Sequence, residues 1–92
     1  MVRHQLAPLG NDYDFPALRK AVDTALVTKE RTLVVDLDGV GFLDAGVIRE
    51  LIRVLRRMRD RGGTVYLAST RDVIHTSLRV LGLDRVFRTK AA

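Results

Sequence analysis

The 92 residues suffice for one modest hydrophobic core and leave no room for a second, so residues 1–92 are read as a single domain. The absence of cysteine excludes disulfides, thiolate catalysis and cysteine metal sites, and no run approaches the roughly 20 apolar residues of a spanning helix. A hydrophobic content of 47% with a net charge of +5 describes a soluble globular chain, expected in the cytoplasm, and raises the question of an acidic partner.

Val2-x-His4-x-Leu6 alternates as a short first strand, stopped by Pro8 and Gly10. Asn11 to Asp14 is turn chemistry, and Asp14 is placed to cap a helix. Leu18, Ala21, Val22, Ala25 and Leu26 mark that helix from Phe15 to about Thr28, with Pro16 tolerated in its first turn. Thr32 to Leu37 is a β-branched apolar run of the kind found in strands covered on both faces. Beyond a loop from Asp38 to Asp44, the residues Ile48, Leu51, Ile52, Leu55 and Met58 form the apolar stripe of a second helix, ended by Gly62 and Gly63. "TVYLA", residues 64–68, is a further strand. Ser69 to Asp72 supply a turn and cap for a third helix lined by Ile74, Ser77, Leu78 and Leu81 and stopped by Gly82, and "LDRVFRT" supplies a short last strand.

The order β-α-β-α-β-α-β separates successive strands by helices. The expected fold is therefore a small α/β domain with a mostly parallel four-stranded sheet, right-handed crossovers and about three helices. Its functional rim belongs at the carboxyl ends of the strands, where the loops 11–14, 38–45 and 69–71 meet.

Charge is unevenly placed. Arg49, Arg53, Arg56, Arg57, Arg59 and Arg61 face only Glu50 and Asp60 within the second helix and its end. Four of them (Arg49, Arg53, Arg56 and Arg57) fall opposite the apolar stripe. Such a run makes a solvated helix face, and one able to steer an acidic protein. Nucleic acid is the weaker reading, because Tyr13, Phe15, Phe42, Tyr66 and Phe87 read mostly as core rather than as stacking residues. His4 and His75 stand apart from each other and from any acidic cluster, so no metal site or cofactor is expected.

The stretch "VVDLDGVGFLDAG", residues 34–46, carries two resemblances. Its first half is similar to the aspartyl nucleophile motif of haloacid-dehalogenase-like hydrolases, with Asp36 and Asp38 in the two catalytic places and "VYLAST" in the place of the phosphate-binding strand. That chemistry needs a lysine and a further acidic pair, whereas Lys90 is the only lysine after Lys29 and Asp72 and Asp84 stand alone. Without charge neutralisation phosphoryl transfer loses its main source of catalysis, so no enzyme is expected.

The whole stretch resembles the STAS family of bacterial anti-sigma factor antagonists, whose loop runs Gly-x-x-hydrophobic-hydrophobic-Asp into a helix. The resemblance extends from about Gly10 to Phe87 through "LRRMRDRGGTVYLAS" and "SLRVLGLDRVF". It implies a module in a sigma factor pathway of transcription that binds a kinase-type anti-sigma factor, with a partner surface at Asp14, Asp44, Ala45, Gly46, Val47, Arg49 and Arg53. It also implies a phosphoacceptor serine after the loop aspartate, and there the chain departs: Ala45 has no hydroxyl, and Val47 stands where a glycine is usual. Either the protein is a constitutive antagonist, or Val47 crowds the surface and it binds a different partner or none of this type. Ser69 and Thr70 lie on the same rim as alternative phosphoacceptors, with helix capping the plainer role. One strand before the first helix, where two are usual, leaves an edge open for a homodimer or a larger STAS assembly. A scaffold or sensory STAS module remains the alternative reading.

Overall fold

The computed structural model describes residues 1–91. Its strands are β1 (Val2–Gln5), β2 (Pro8–Leu9), β3 (Asp12–Tyr13), β4 (Thr32–Asp36), β5 (Thr64–Ala68) and β6 (Arg88–Lys90). Its helices are α1 (Phe15–Val27), α2 (Ala45–Asp60) and α3 (Asp72–Val80), with a 3-10 turn at Leu83–Arg85. Four strands form one sheet in the order β1-β4-β5-β6, and every pairing in it is parallel. The mostly parallel four-stranded α/β fold with three helices is thus the one the alternation of patterns implies.

Each crossover steps to the next strand in the same direction, so right-handed connections put all three helices on one face. Leu33, Val35 and Leu37 from β4 and its exit, with Val65 and Leu67 from β5, meet Leu18, Val22, Leu51, Ile74 and Leu78 in a single core cluster. Burying each such side chain contributes about 1.5–3 kcal/mol. Extents of 32 × 30 × 21 Å fit two layers rather than three.

β4 is covered on both faces, as its apolar run implies, but helices cover only one of them. Val34 is buried but lies outside the main core, on the face without helices, in register with Arg3 on β1 and Tyr66 on β5. The same face carries the Arg3–Asp36 ion pair at 2.9 Å and the Lys90 ammonium 5.6 Å from the Tyr66 ring centroid. Long polar side chains do there what a second helical layer does elsewhere.

The N-terminal turn also holds more structure than expected. Pro8–Leu9 and Asp12–Tyr13 pair as a small antiparallel ladder around Gly10, whose φ of +60° suits glycine. The expected last strand is divided: residues 83–85 wind into the 3-10 turn, and pairing begins only at Arg88.

Gly39 marks the tightest approach in the fold. A Cβ there would stand 2.8 Å from the Leu6 carbonyl oxygen, where the loop after β4 crosses the exit of β1. Gly39→Ala is therefore expected to destabilise the domain by about 1–3 kcal/mol, read as a lower urea midpoint. An unchanged midpoint would show that the crossing is loose.

Candidate functional site

The three loops predicted to form the rim are tied into one surface by specific bonds. The Gly41 N–H donates to the Tyr13 hydroxyl at 3.1 Å, joining the β4–α2 loop to the N-terminal hairpin. Arg71 donates to the Val40 carbonyl at 2.5 Å, joining that loop to the β5–α3 turn. Between these anchors Val40 and Leu43 are buried, which leaves Phe42 outside at 68% exposure. An aromatic residue read as core is instead presented to solvent on a pinned loop. Leu9 on the hairpin and Val73 at the start of α3 are also exposed.

Asp38 is the hub of the second junction. It accepts from the Ser69 hydroxyl at 2.6 Å, the Thr70 N–H at 2.9 Å and the Thr70 hydroxyl at 2.9 Å. The Ser69 bond above all, followed by the Thr70 N–H, holds its carboxyl below the ordinary range, and the Arg71 charge adds to this. Asp36 turns elsewhere, accepting from the Asp38 N–H at 2.9 Å and from Arg3. The two carboxylates of the phosphatase-like motif therefore hold the backbone and a neighbouring strand and turn. Ser69 is buried, and its oxygen accepts from the Arg71 N–H at 3.0 Å, while Thr70 is exposed. Neither caps α3 directly, because its N-cap is Arg71, which makes no side-chain cap bond. The His75 imidazole completes the turn by donating to the Ser69 carbonyl at 2.7 Å.

Both predicted caps form. Asp14 accepts from the Ala17 N–H at 3.1 Å, and Asp44 accepts from the Val47 N–H at 2.9 Å. Asp44 thereby fixes the start of α2, so Ala45 is its first residue and is exposed, with Gly46 half-buried behind it. Val47 is different. It is fully buried in the core, beneath the exposed residues around it.

Arg49 and Arg53 are exposed on α2. Arg53 lies 3.8 Å from Glu50, and Arg49 makes no ion pair among the described residues. Glu50 enters the sequence reading only as a charge on the arginine-rich helix, yet it has a structural role. It is 6% exposed and accepts from Arg19 of α1 at 2.5 and 3.3 Å, locking α1 to α2. Its separation from Arg19 by 31 positions leaves no local signal.

The family model described as the Mlab STAS domain matches residues 12–89. The chain belongs to the STAS domain family. Among solved structures, a proposed anti-sigma factor antagonist from Thermotoga maritima superposes with a TM-score of 0.67 at 20% identity, over 92% of this chain and 71% of that one. At that identity the likeness establishes the fold. No curated protein matches the sequence. No helix of this STAS domain, among the described residues, is long and apolar enough to cross a membrane.

Proposed function

We propose that this STAS domain is a non-enzymatic anti-sigma factor antagonist that binds a kinase-type anti-sigma factor through the rim. Asp14, Asp44, Ala45, Gly46, Arg49 and Arg53 form the contact, with Phe42 as an apolar anchor and Val47 as support. The observation that carries the reading is the exposed Ala45 at the first position of α2, directly after the capping Asp44. A phosphate at that point would meet free helix N–H groups, yet would add about −1.5 to −2 charge to the contact. Alanine accepts no phosphate, so the antagonist stays in its binding state. Ser69 is buried and bonded at both ends, and a phosphate on Thr70 would lie against the Asp38 carboxylate, so neither is an effective substitute.

The test is titration of the purified domain with the kinase-type anti-sigma factor of the source organism. Wild type and Ala45→Ser are expected to bind alike without ATP. Ala45→Asp is expected to lose at least about tenfold in affinity, and ATP is expected to dissociate only the serine variant. Equal binding by Ala45→Asp, or no binding by wild type, rejects the proposal.

The helix-free sheet face favours a second reading, a STAS module assembling with other STAS domains. Arg88 and Lys90 on the β6 side of that face repel a second copy, which points to a partner chain of opposite charge.

A further inference from the structure

α3 spans the crossover from β5 to the edge strand β6, so no further helix lies beyond it on that side of the sheet. Ile74 and Leu78 bury its inner side. At 100° per residue Val73, Thr76 and Val80 fall within about 60° of one another and point away from that side. All three are exposed, Val73 at 54% and Val80 at 78%, and Leu81 just past the helix end widens the same apolar face. The Ser77 hydroxyl beside them donates to the Val73 carbonyl at 2.9 Å, so it brings no unpaired donor to the face. Asp72 and Arg79 stand at the two ends of one flank of this face, about 20° apart in direction. Neither forms an ion pair among the described residues. Nearly two turns of helix keep them from pairing with each other.

We propose that α3 is a homodimer contact, packing antiparallel against α3 of a second copy. A twofold axis passing near Thr76 sets Val73 against the copy's Val80, and Val80 against the copy's Val73. The same axis sets Asp72 against the copy's Arg79, and the pair occurs twice. The face is thus complementary to itself in apolar contact and in charge, as an isologous interface requires. A parallel pairing would set Asp72 against Asp72 and Arg79 against Arg79, so charge selects the antiparallel one. Nine residues make a helix of only about 13 Å, short of the roughly 800 Å² per partner of a standard interface. The dimer is accordingly weak, with a dissociation constant of about 10⁻⁴ M. This face lies on the helical side of the sheet, away from Arg88 and Lys90, and the contact does not depend on the anti-sigma factor reading.

Sedimentation equilibrium of the whole domain, from about 20 µM to about 1 mM in about 0.15 M salt, tests the contact. Wild type is expected to pass from monomer toward dimer across that range. Val80→Ser is expected to weaken association at least about tenfold, while Val27→Ser, at an equally exposed position on α1, leaves it unchanged. Asp72→Arg alone and Arg79→Asp alone are each expected to stay monomeric, because each sets like charges together twice. Mixed in equal amounts, these two variants are expected to dimerise like wild type, since every pair across the axis is then of opposite charge. If either charge variant loses its helical circular dichroism, Val80→Ser decides the matter, being too exposed to disturb the fold. Wild type that is monomeric at the top of the range would overturn the contact, as would association that survives Val80→Ser. A mixture of the two folded charge variants that stays monomeric would overturn it too, and so would association lost with Val27→Ser.

Discussion

Val47→Gly is expected to lower the unfolding free energy by about 3–4 kcal/mol, with the urea m-value unchanged. Two terms make up that figure. Deleting a fully buried isopropyl group removes about 2–3 kcal/mol of transfer and packing energy, and glycine inside a helix costs about 1 kcal/mol more. A domain of this size has about 5–15 kcal/mol to lose, so the variant stands near the edge of folding at 37 °C. The substitution is informative because glycine is the usual residue at this place in the resembling family. If Val47 crowded a contact surface, Val47→Gly would leave stability within about 1 kcal/mol and tighten partner binding. Its position among Leu43, Leu51 and the β4 residues of the core favours the first outcome, so Val47 is a packing choice of this chain.

The legibility of the molecule follows the range of the interactions involved. The starts of α1 and α2 can be read because an Asp caps each one three residues from its bonded N–H, and the stripes that follow have one period. β5 can be read to the residue because Gly63 and Ser69 bracket a run with strand character. The β2–β3 ladder cannot, since two residues per strand contain no alternation to detect. Phe42 reads as core because aromatic type is the only local signal. Its exposure depends on Tyr13 and Arg71, which grip Gly41 and Val40 just before it across 28 and 31 positions. β4 is legible only in part for a related reason: its apolar run is buried as read, but whether a helix covers Val34 depends on strand order, which composition does not contain. The rim is therefore legible as a place and illegible as a surface. Its loops show in the sequence, while the bonds that join them cross elements.

The most consequential of those bonds converge on Asp38, and acid should expose them. Its folded carboxyl titrates below the ordinary value of 3.8, so on protonation the unfolded chain binds the proton more readily than the folded one. The stabilisation is accordingly present in full above that ordinary value and is lost as pH falls through the lower folded one. Stability of the wild type is expected to drop between about pH 5 and pH 2, and that of Asp38→Asn to follow a flatter course. The two curves should converge at the acid end, since a protonated carboxyl and a side-chain amide alike offer fewer acceptor sites than a carboxylate. At neutral pH the Asp38→Asn variant should melt lower, because an amide oxygen cannot replace two carboxylate oxygens toward Ser69 and Thr70. Ser69→Ala removes the same junction from the other side, leaving the Arg71 N–H without its acceptor, at an expected cost of about 1–3 kcal/mol. Parallel acid limbs in wild type and Asp38→Asn would mean that other carboxylates govern acid unfolding. A reduced difference at neutral pH would place the coupling between the β4–α2 loop and the β5–α3 turn in Arg71 and Val40 instead. Because the Asp38 junction and the Arg71 grip hold one end of the segment that presents Phe42 and Ala45, their loss should also loosen the proposed partner surface before the core unfolds.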